Sequence, residues 1–291
     1  MSMTIEHFYH QPTATLSYVV ADSESKEAAV IDPVLDFVAA AGRTSTDSVQ
    51  KIIDYLQDND LKLRWILETH AHADHLSGAD LLKKELGGEI AIGKAITQVQ
   101  EVFKTLFNIG DELVADGRDF DRLLADGDTL PLGSLQIRTL STPGHTPACS
   151  CYQIEDAVFV GDTIFMPSFG TARCDFPGGD AGTLYDSIQK LLSLPPETRL
   201  FMCHDYPKKG ESYRYLTSVQ EEREQNIHLT LAPAAGQSPK QAYVEMRSER
   251  DAGLGAPALI LPALQYNIRA GKPPQPEDNG VAYLKLPLNQ L

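Results

Sequence analysis

The sequence predicts an α/β fold in which helices pack outside β-sheets, on three observations. Across residues 10–205, short apolar strand-like runs alternate with stretches of helical spacing, the order expected of layered sheets and helices. Gly, Asp and polar turn residues punctuate those runs at hairpin spacing. His70, Asp162 and His204 each stand where an apolar strand ends, and His145 stands in a turn after one, so a rigid sheet rim could gather them.

The elements follow in order. "TATLSYVVADSESKEAAVIDP" reads as two strands, Leu16 to Ala21 and Ala28 to Asp32, around a polar turn. Val49, Ile52, Ile53 and Leu56 fall at i, i+3, i+4 and i+7 of a helix, and Thr44 to Asp47 offer its N-cap. "RWILET" is a buried strand running into the histidine cluster, and a second helix carries Leu76, Leu82 and Leu86 before ending at Gly87-Gly88. Residues 96–108 are helical or irregular. Two hairpins follow, turning at Gly133 and at Glu155-Asp156. Leu184, Ile188, Leu191 and Leu192 mark a helix that Asp180 can cap, and "RLFMCHDY" is a last apolar strand. Beyond 206 the chain is richer in charge and proline. Residues 218–227 and 239–250 suit helices, "PPQPEDNG" a loop, and "VAYLKLPL" an edge strand. With no clean linker, the expectation is one domain over 1–291: a core of about 10–205 with a packed carboxyl-terminal extension of about 206–291.

The 291 residues can bury a large core, and 42% apolar with 22% charged residues is an ordinary globular composition. A net charge of -15 argues against nucleic acid or an acidic membrane as partner, since both select basic surface. No apolar run reaches the ~20 residues of a membrane span, and "MSMTIEHFYHQ" lacks the marks of a secretory signal. Four cysteines (Cys149, Cys151, Cys174, Cys203) are too few for a disulfide framework and read as free thiols in a reducing cytoplasm, with Cys149, Cys151 and Cys203 buried and inert. Oligomeric state, a homodimer included, stays open.

Five of the eight histidines lie in "HAHADH", "PGHT" and "CHDY". The place of "HAHADH" between an apolar strand and an amphipathic helix speaks for a metal site rather than a solvated loop. Imidazoles with a carboxylate suit zinc, iron or manganese without choosing among them, and Asp162 in "VFVGDT" is the carboxylate that could join.

In this order and spacing, "THAHADH", "TPGHT", "GD" and "HDY" resemble the metallo-β-lactamase superfamily. That resemblance implies an αββα sandwich with the metal site at one edge of two sheets. It also implies a full dinuclear set in His70, His72, Asp74, His75, His145, Asp162 and His204. Two zincs or mixed metals there would make a glutathione thioester hydrolase, similar to glyoxalase II. Finer motifs, "GTARCDFPGGD", "CHDYP" and "NIRAGKPPQPEDNG", resemble persulfide (sulfur) dioxygenases instead. This second resemblance implies one Fe(II) per chain on His70, His145 and Asp162, a two-histidine, one-carboxylate arrangement with open positions for glutathione persulfide and O2. His72, Asp74, His75 and His204 then orient the ligands, move protons or form a vestigial second site. Arg173 and Tyr206 match positions that the family uses for substrate. Lys208, Lys209 and Arg214 read as a solvated basic face. A non-catalytic metal- or glutathione-binding sensor is a third reading; it would be expected to show degenerate ligands, and none is degenerate.

Overall fold

The computed structural model describes residues 3–208 and 210–290. Lys209 of the expected basic face lies outside the described residues. The chain opens with β1 (Met3–His10), β2 (Thr15–Asp22) and β3 (Glu27–Ile31), then β4 (Val34–Val38) and β5 (Arg43–Ser45). Next come α1 (Asp47–Asp58), β6 (Lys62–Glu68), β7 (Leu76–Ser77), α2 (Ala79–Leu86), β8 (Glu89–Gly93), α3 (Ile96–Leu106) and β9 (Arg122–Leu124). The second half holds β10 (Thr129–Leu132), β11 (Leu135–Ser141), β12 (Ser150–Ile154), β13 (Ala157–Phe159), α4 (Ala181–Leu192) and β14 (Arg199–Phe201). It ends with β15 (Leu216–Ser218), α5 (Val219–Gln225), α6 (Pro239–Asp251) and α7 (Ile260–Asn267).

Two six-stranded sheets, in the orders β1-β2-β3-β6-β8-β9 and β10-β11-β12-β13-β14-β15, stack face to face. The period-2 geometry of strands decides which side chains meet. Leu16, Tyr18 and Val20 of β2 enter the layer between the sheets with Trp65, Leu67, Ile137, Tyr152, Phe159 and Phe201. The alternate residues Val19 and Ala21 face outward, where α1 to α3 bring Val49, Ile52, Leu56, Leu82, Val99 and Phe103. On the far side Leu140, Val158 and Leu200 meet Leu184, Ile188 and Leu191 of α4. Helices on both outer faces of two sheets make the expected αββα sandwich.

Several expectations need correction. β1 was not foreseen: polar Glu6, His7 and His10 interrupt its apolar signal, and every one of its residues is at least partly exposed because it is a sheet edge. Leu76 is not in the second helix, which starts at Ala79; it pairs with Leu35 in β7. Thr46 stands at the N-cap of α1 without a side-chain bond, and Asp36 of β4 accepts from the Ser48 amide instead. Residues 281–288 form no strand. The backbone of Lys285 pairs with the Gln265 side chain of α7, which donates to its carbonyl and accepts from its amide. α7 itself went unpredicted because Pro262 sits in it, but in the first turn, where a proline costs no hydrogen bond. Asp180 does cap α4, accepting from the Thr183 amide.

The tail is tied to the core at two points. Arg247 of α6, paired with Asp251, donates to the Thr171 carbonyl, and Asp251 accepts from the Cys174 amide. Asn267 of α7 donates to the His72 and His75 carbonyls and accepts from the Ser77 amide, each at 2.8 Å.

Candidate metal centre

The ends of β6, β11, β13 and β14 meet at one rim of the sandwich, and the loops leaving them carry the predicted ligands. Two glycines make the close approach possible. Gly161 has φ +51, and a Cβ there would lie 2.7 Å from Thr69 beside the histidine loop. Gly144 has φ +140, and a Cβ would strike Leu184 of α4 at 2.4 Å. The "PGH" and "GD" motifs thus need glycine for packing before they serve any chemistry.

His70, His145 and Asp162 each bring a donor atom within 4.8 Å of the others. Asp162 Oδ2 lies 4.0 Å from His70 Nε2 and 3.7 Å from His145 Nε2. Hydrogen bonds on the other nitrogens assign the tautomers. Asp32 accepts from both the amide and the hydroxyl of Thr69, at 2.7 and 2.9 Å. The Thr69 hydroxyl, already donating, can only accept from His70 Nδ1 at 3.0 Å. His145 Nδ1 donates to the Arg173 carbonyl at 2.7 Å. Both Nε2 lone pairs are therefore bare and face Asp162, as metal ligands must be. Burial, with the neighbouring His72, holds His70 well below the usual histidine range, so its ring is neutral.

The other four predicted residues converge beside this trio. His204 donates through Nδ1 to the Ala14 carbonyl, and its Nε2 stands 3.3 Å from Asp162 Oδ1 and 3.5 Å from Asp74 Oδ2. His75 Nδ1 is 3.3 Å from Asp74 Oδ1, while its Nε2 is buried without a partner. His72 Nε2 lies 3.0 Å from Asp32 Oδ1, and both His72 ring nitrogens are buried without a hydrogen bond among the described residues. Burial alone would raise the Asp162 carboxyl, but His204, His70 and His145 hold it well below the ordinary carboxylate range. Against burial, Asp162 and Asp74 lift His204 to about 10. Carboxylates that force a buried imidazole to charge call for a cation among them. With the orphaned nitrogens of His72 and His75, the donor set fits a metal.

Arg173 and Tyr206 both line a cavity of about 390 Å³ that opens over Asp74, His145, Asp162 and His204. The guanidinium of Arg173 is bidentate on Asp175, at 2.5 Å, and also donates to the Gly255 carbonyl. Tyr206 is half exposed and stacks at 5.9 Å on the His204 ring. Cys149, Cys151 and Cys203 are buried, and burial pushes their thiols up, Cys151 to about 11.

Reading the sequence missed Asp32, Thr69 and Asn267. Asp32 had a signal, since "AAVIDP" ends an apolar strand in an aspartate as "VFVGD" does. Asn267 had none that local spacing could supply.

A model of the metallo-beta-lactamase superfamily matches residues 10–204. The chain is 52% identical to a protein described as a probable metallo-hydrolase of Burkholderia pseudomallei, over 99% of this chain and 100% of that one. It is 47% identical to glyoxylase B2 of Dictyostelium discoideum, over 99% and 97%. It is 32% identical to the mitochondrial persulfide dioxygenase ETHE1 of Homo sapiens, over 78% and 76%. The crystal structure of ETHE1 from Myxococcus xanthus superposes with a TM-score of 0.71 at 27% identity, covering 92% of this chain and 100% of that one. Among the described residues, no helix is long and apolar enough to cross a membrane.

Proposed function

This chain belongs to the metallo-beta-lactamase superfamily, and from that premise we propose that it is a mononuclear iron(II) persulfide dioxygenase. Glutathione persulfide, O2 and water become glutathione and sulfite: the terminal sulfur is oxidised, O2 is reduced and the S–S bond breaks. The observation that carries this reading is the convergence of His70, His145 and Asp162, with bare Nε2 lone pairs facing one carboxylate oxygen. Likeness to a persulfide dioxygenase across three quarters of the chain adds support.

Bound iron(II) would supply redox chemistry toward O2 that zinc cannot. The chain's own residues do the rest. Three protein ligands leave positions free on the cavity side, where the substrate sulfur can enter past Tyr206 and Phe169. The Thr69–Asp32 pair holds His70 in one tautomer, and the Arg173 carbonyl does so for His145. Asp74 and His204, 3.5 Å apart at the cavity floor, can hold or pass a proton beside the reacting sulfur.

A second reading has its own observation. Asp162 Oδ1 turns to His204, and Asp74 and His75 stand behind it, a second pocket that two-metal hydrolysis of a glutathione thioester would use. The names of the Burkholderia and Dictyostelium relatives lean that way. Oxygen-electrode turnover with glutathione persulfide, together with metal analysis of protein purified without added metal, separates them. Iron-dependent O2 uptake with sulfite as product is expected. Two zincs per chain, no O2 uptake and anaerobic hydrolysis of S-lactoylglutathione would overturn the proposal.

A further inference from the structure

A substrate seated in the cavity over the metal centre shuts that side of the site to water. The proposed reaction, on which this inference rests, nevertheless releases a pair of protons for each sulfite formed. Asp74 stands where they could leave. Its Oδ2 lies 3.5 Å from His204 Nε2, which lines the cavity, and also accepts from the Thr15 hydroxyl at 3.4 Å. None of Thr15, Thr13, His10 and Asp36 lines that cavity.

The hairpin of β1 and β2 continues the line outward. Its register sets His10 opposite Thr15, with Thr13 in the turn between them. The Thr15 and Thr13 hydroxyls are 2.8 Å apart, and Thr13 Oγ1 lies 2.7 Å from His10 Nδ1. On the other edge of the ring, Nε2 lies 3.2 Å from Asp36 Oδ1, and the Asp36 side chain is 21% exposed. Asp36 is fixed in turn by the amide and hydroxyl of Ser48, which donate to it at 2.7 and 2.8 Å. The inner end is fully buried at Thr15. At the outer end a cavity of about 20 Å³, room for one water, adjoins His10, Ser48 and Lys51. The charged groups around the His10 ring are Asp36 of β4, Lys51 of α1 and Asp74. Burial, against the pull of Asp36, holds the ring below the usual histidine value, so it is neutral near pH 7 and still able to take a proton.

We propose that Thr15, Thr13 and His10 form a relay that carries protons from Asp74 at the metal centre to Asp36 at the surface. In the resting state neutral His10 donates through Nε2 to Asp36, its Nδ1 accepts from the Thr13 hydroxyl, and Thr13 accepts from Thr15. A proton held by Asp74 passes to Thr15 Oγ1 as Thr15 hands its own to Thr13 and Thr13 hands its own to His10 Nδ1. Each hydroxyl loses one proton and gains another, so both threonines end unchanged, Asp74 is ionised and His10 is an imidazolium. The imidazolium releases one proton through Asp36 to water, and rotation of the ring and hydroxyls restores the resting state. This exit stays open while substrate fills the cavity.

Thr13→Val removes the middle hydroxyl and keeps the shape of the side chain, whereas Thr13→Ser keeps the hydroxyl. In turnover of the iron-loaded full chain with glutathione persulfide, Thr13→Val should lower kcat by about tenfold or more at constant KM. Its solvent deuterium isotope effect should exceed that of the wild type, and Thr13→Ser should restore both. A second readout needs no turnover: in nitrogen-15 imidazole spectra of the zinc-loaded full chain, neutral His10 should carry its proton on Nε2. Wild-type kcat and isotope effect in Thr13→Val, equal losses in Thr13→Val and Thr13→Ser, or a neutral His10 protonated on Nδ1 overturns the relay. A wild type that takes up no O2 but hydrolyses S-lactoylglutathione sinks the dioxygenase reading alone. Hydrolysis also releases a proton, so the same two variants in that assay then decide the relay.

Discussion

Replacing Asn267 with Ala tests how far the carboxyl-terminal tail holds the metal loop in shape. The side chain makes three hydrogen bonds of 2.8 Å to the backbone of residues 72, 75 and 77. Asn267 is 4% exposed, and His72, His75 and Ser77 are no more than 2% exposed. Alanine would strand one amide and two carbonyls away from water. A single hydrogen bond contributes a net ~1 kcal/mol, and a stranded group costs ~1–3 kcal/mol, so partial relaxation leaves a loss of about 3 kcal/mol. For a chain this long, a kilocalorie lowers Tm by ~2 °C, hence about 6 °C in all. Asn267→Asp keeps the acceptor for Ser77 but loses both donors, and should fall at least as far, because a buried charge would face two carbonyls. The second consequence concerns the metal. The loop between β6 and β7 carries His70, His72, Asp74 and His75, and losing its brace should weaken metal affinity by ~10–100-fold. Differential scanning calorimetry of the metal-free chain and a competitive chelator titration measure the two effects. A Tm shift under about 2 °C with unchanged metal affinity would refute the idea that α7 braces the site.

Three further outcomes are expected. Asp162→Ala should lose its metal to background levels by elemental analysis while far-UV circular dichroism keeps the native signature; retention of a full equivalent would remove Asp162 from the ligand set. Arg173→Ala should raise KM by about tenfold, ~1.4 kcal/mol, with kcat nearly constant, because the cavity wall loses its ties to Asp175 and Gly255, and an unaltered kcat/KM would end that role. Glu222 of α5 is fully buried, accepts one bond from Asn226 and leaves Oε1 unpartnered, and burial lifts its carboxyl from 4.5 to about 8. A group whose folded value is raised stabilises fully below its unfolded value and loses that contribution as pH rises to the folded one. Stability should therefore decline between about pH 4.5 and 8 and then level off, and Glu222→Gln should flatten that decline in thermal melts. A wild-type profile unchanged by the substitution would contradict the buried acid.

Much of the fold was legible because its signals are local. Strands Leu16–Ala21 and "RWILET", the turns at Gly133 and Glu155, and the Asp180 cap each depend on a few adjacent residues, and they stand within a residue or two of where the pattern put them. Among the elements that escaped were the partly polar edge β1, the short strands β4, β5, β7, β8, β9 and β15, and the proline-bearing α7, whose stability comes from the layer they join. The tail residues 281–288 read as a strand and are not one, since Gln265, rather than a neighbouring strand, satisfies Lys285.

The site divides in the same way. By itself the sequence determined the donor types and their position at strand ends, because a histidine cluster next to an apolar strand is written in consecutive residues. Only the tertiary structure decided which nitrogen of each histidine faces Asp162, because Thr69, the Arg173 carbonyl and the Ala14 carbonyl set the tautomers from across the fold. It likewise decided that two of the three cavity arginines, Arg173 and Arg247, are already paired with Asp175 and Asp251. Asn267 lies 195 residues beyond His72 and yet holds its carbonyl. Contacts of that span are chosen by packing, where each buried polar group must find whichever partner the folded chain brings within reach.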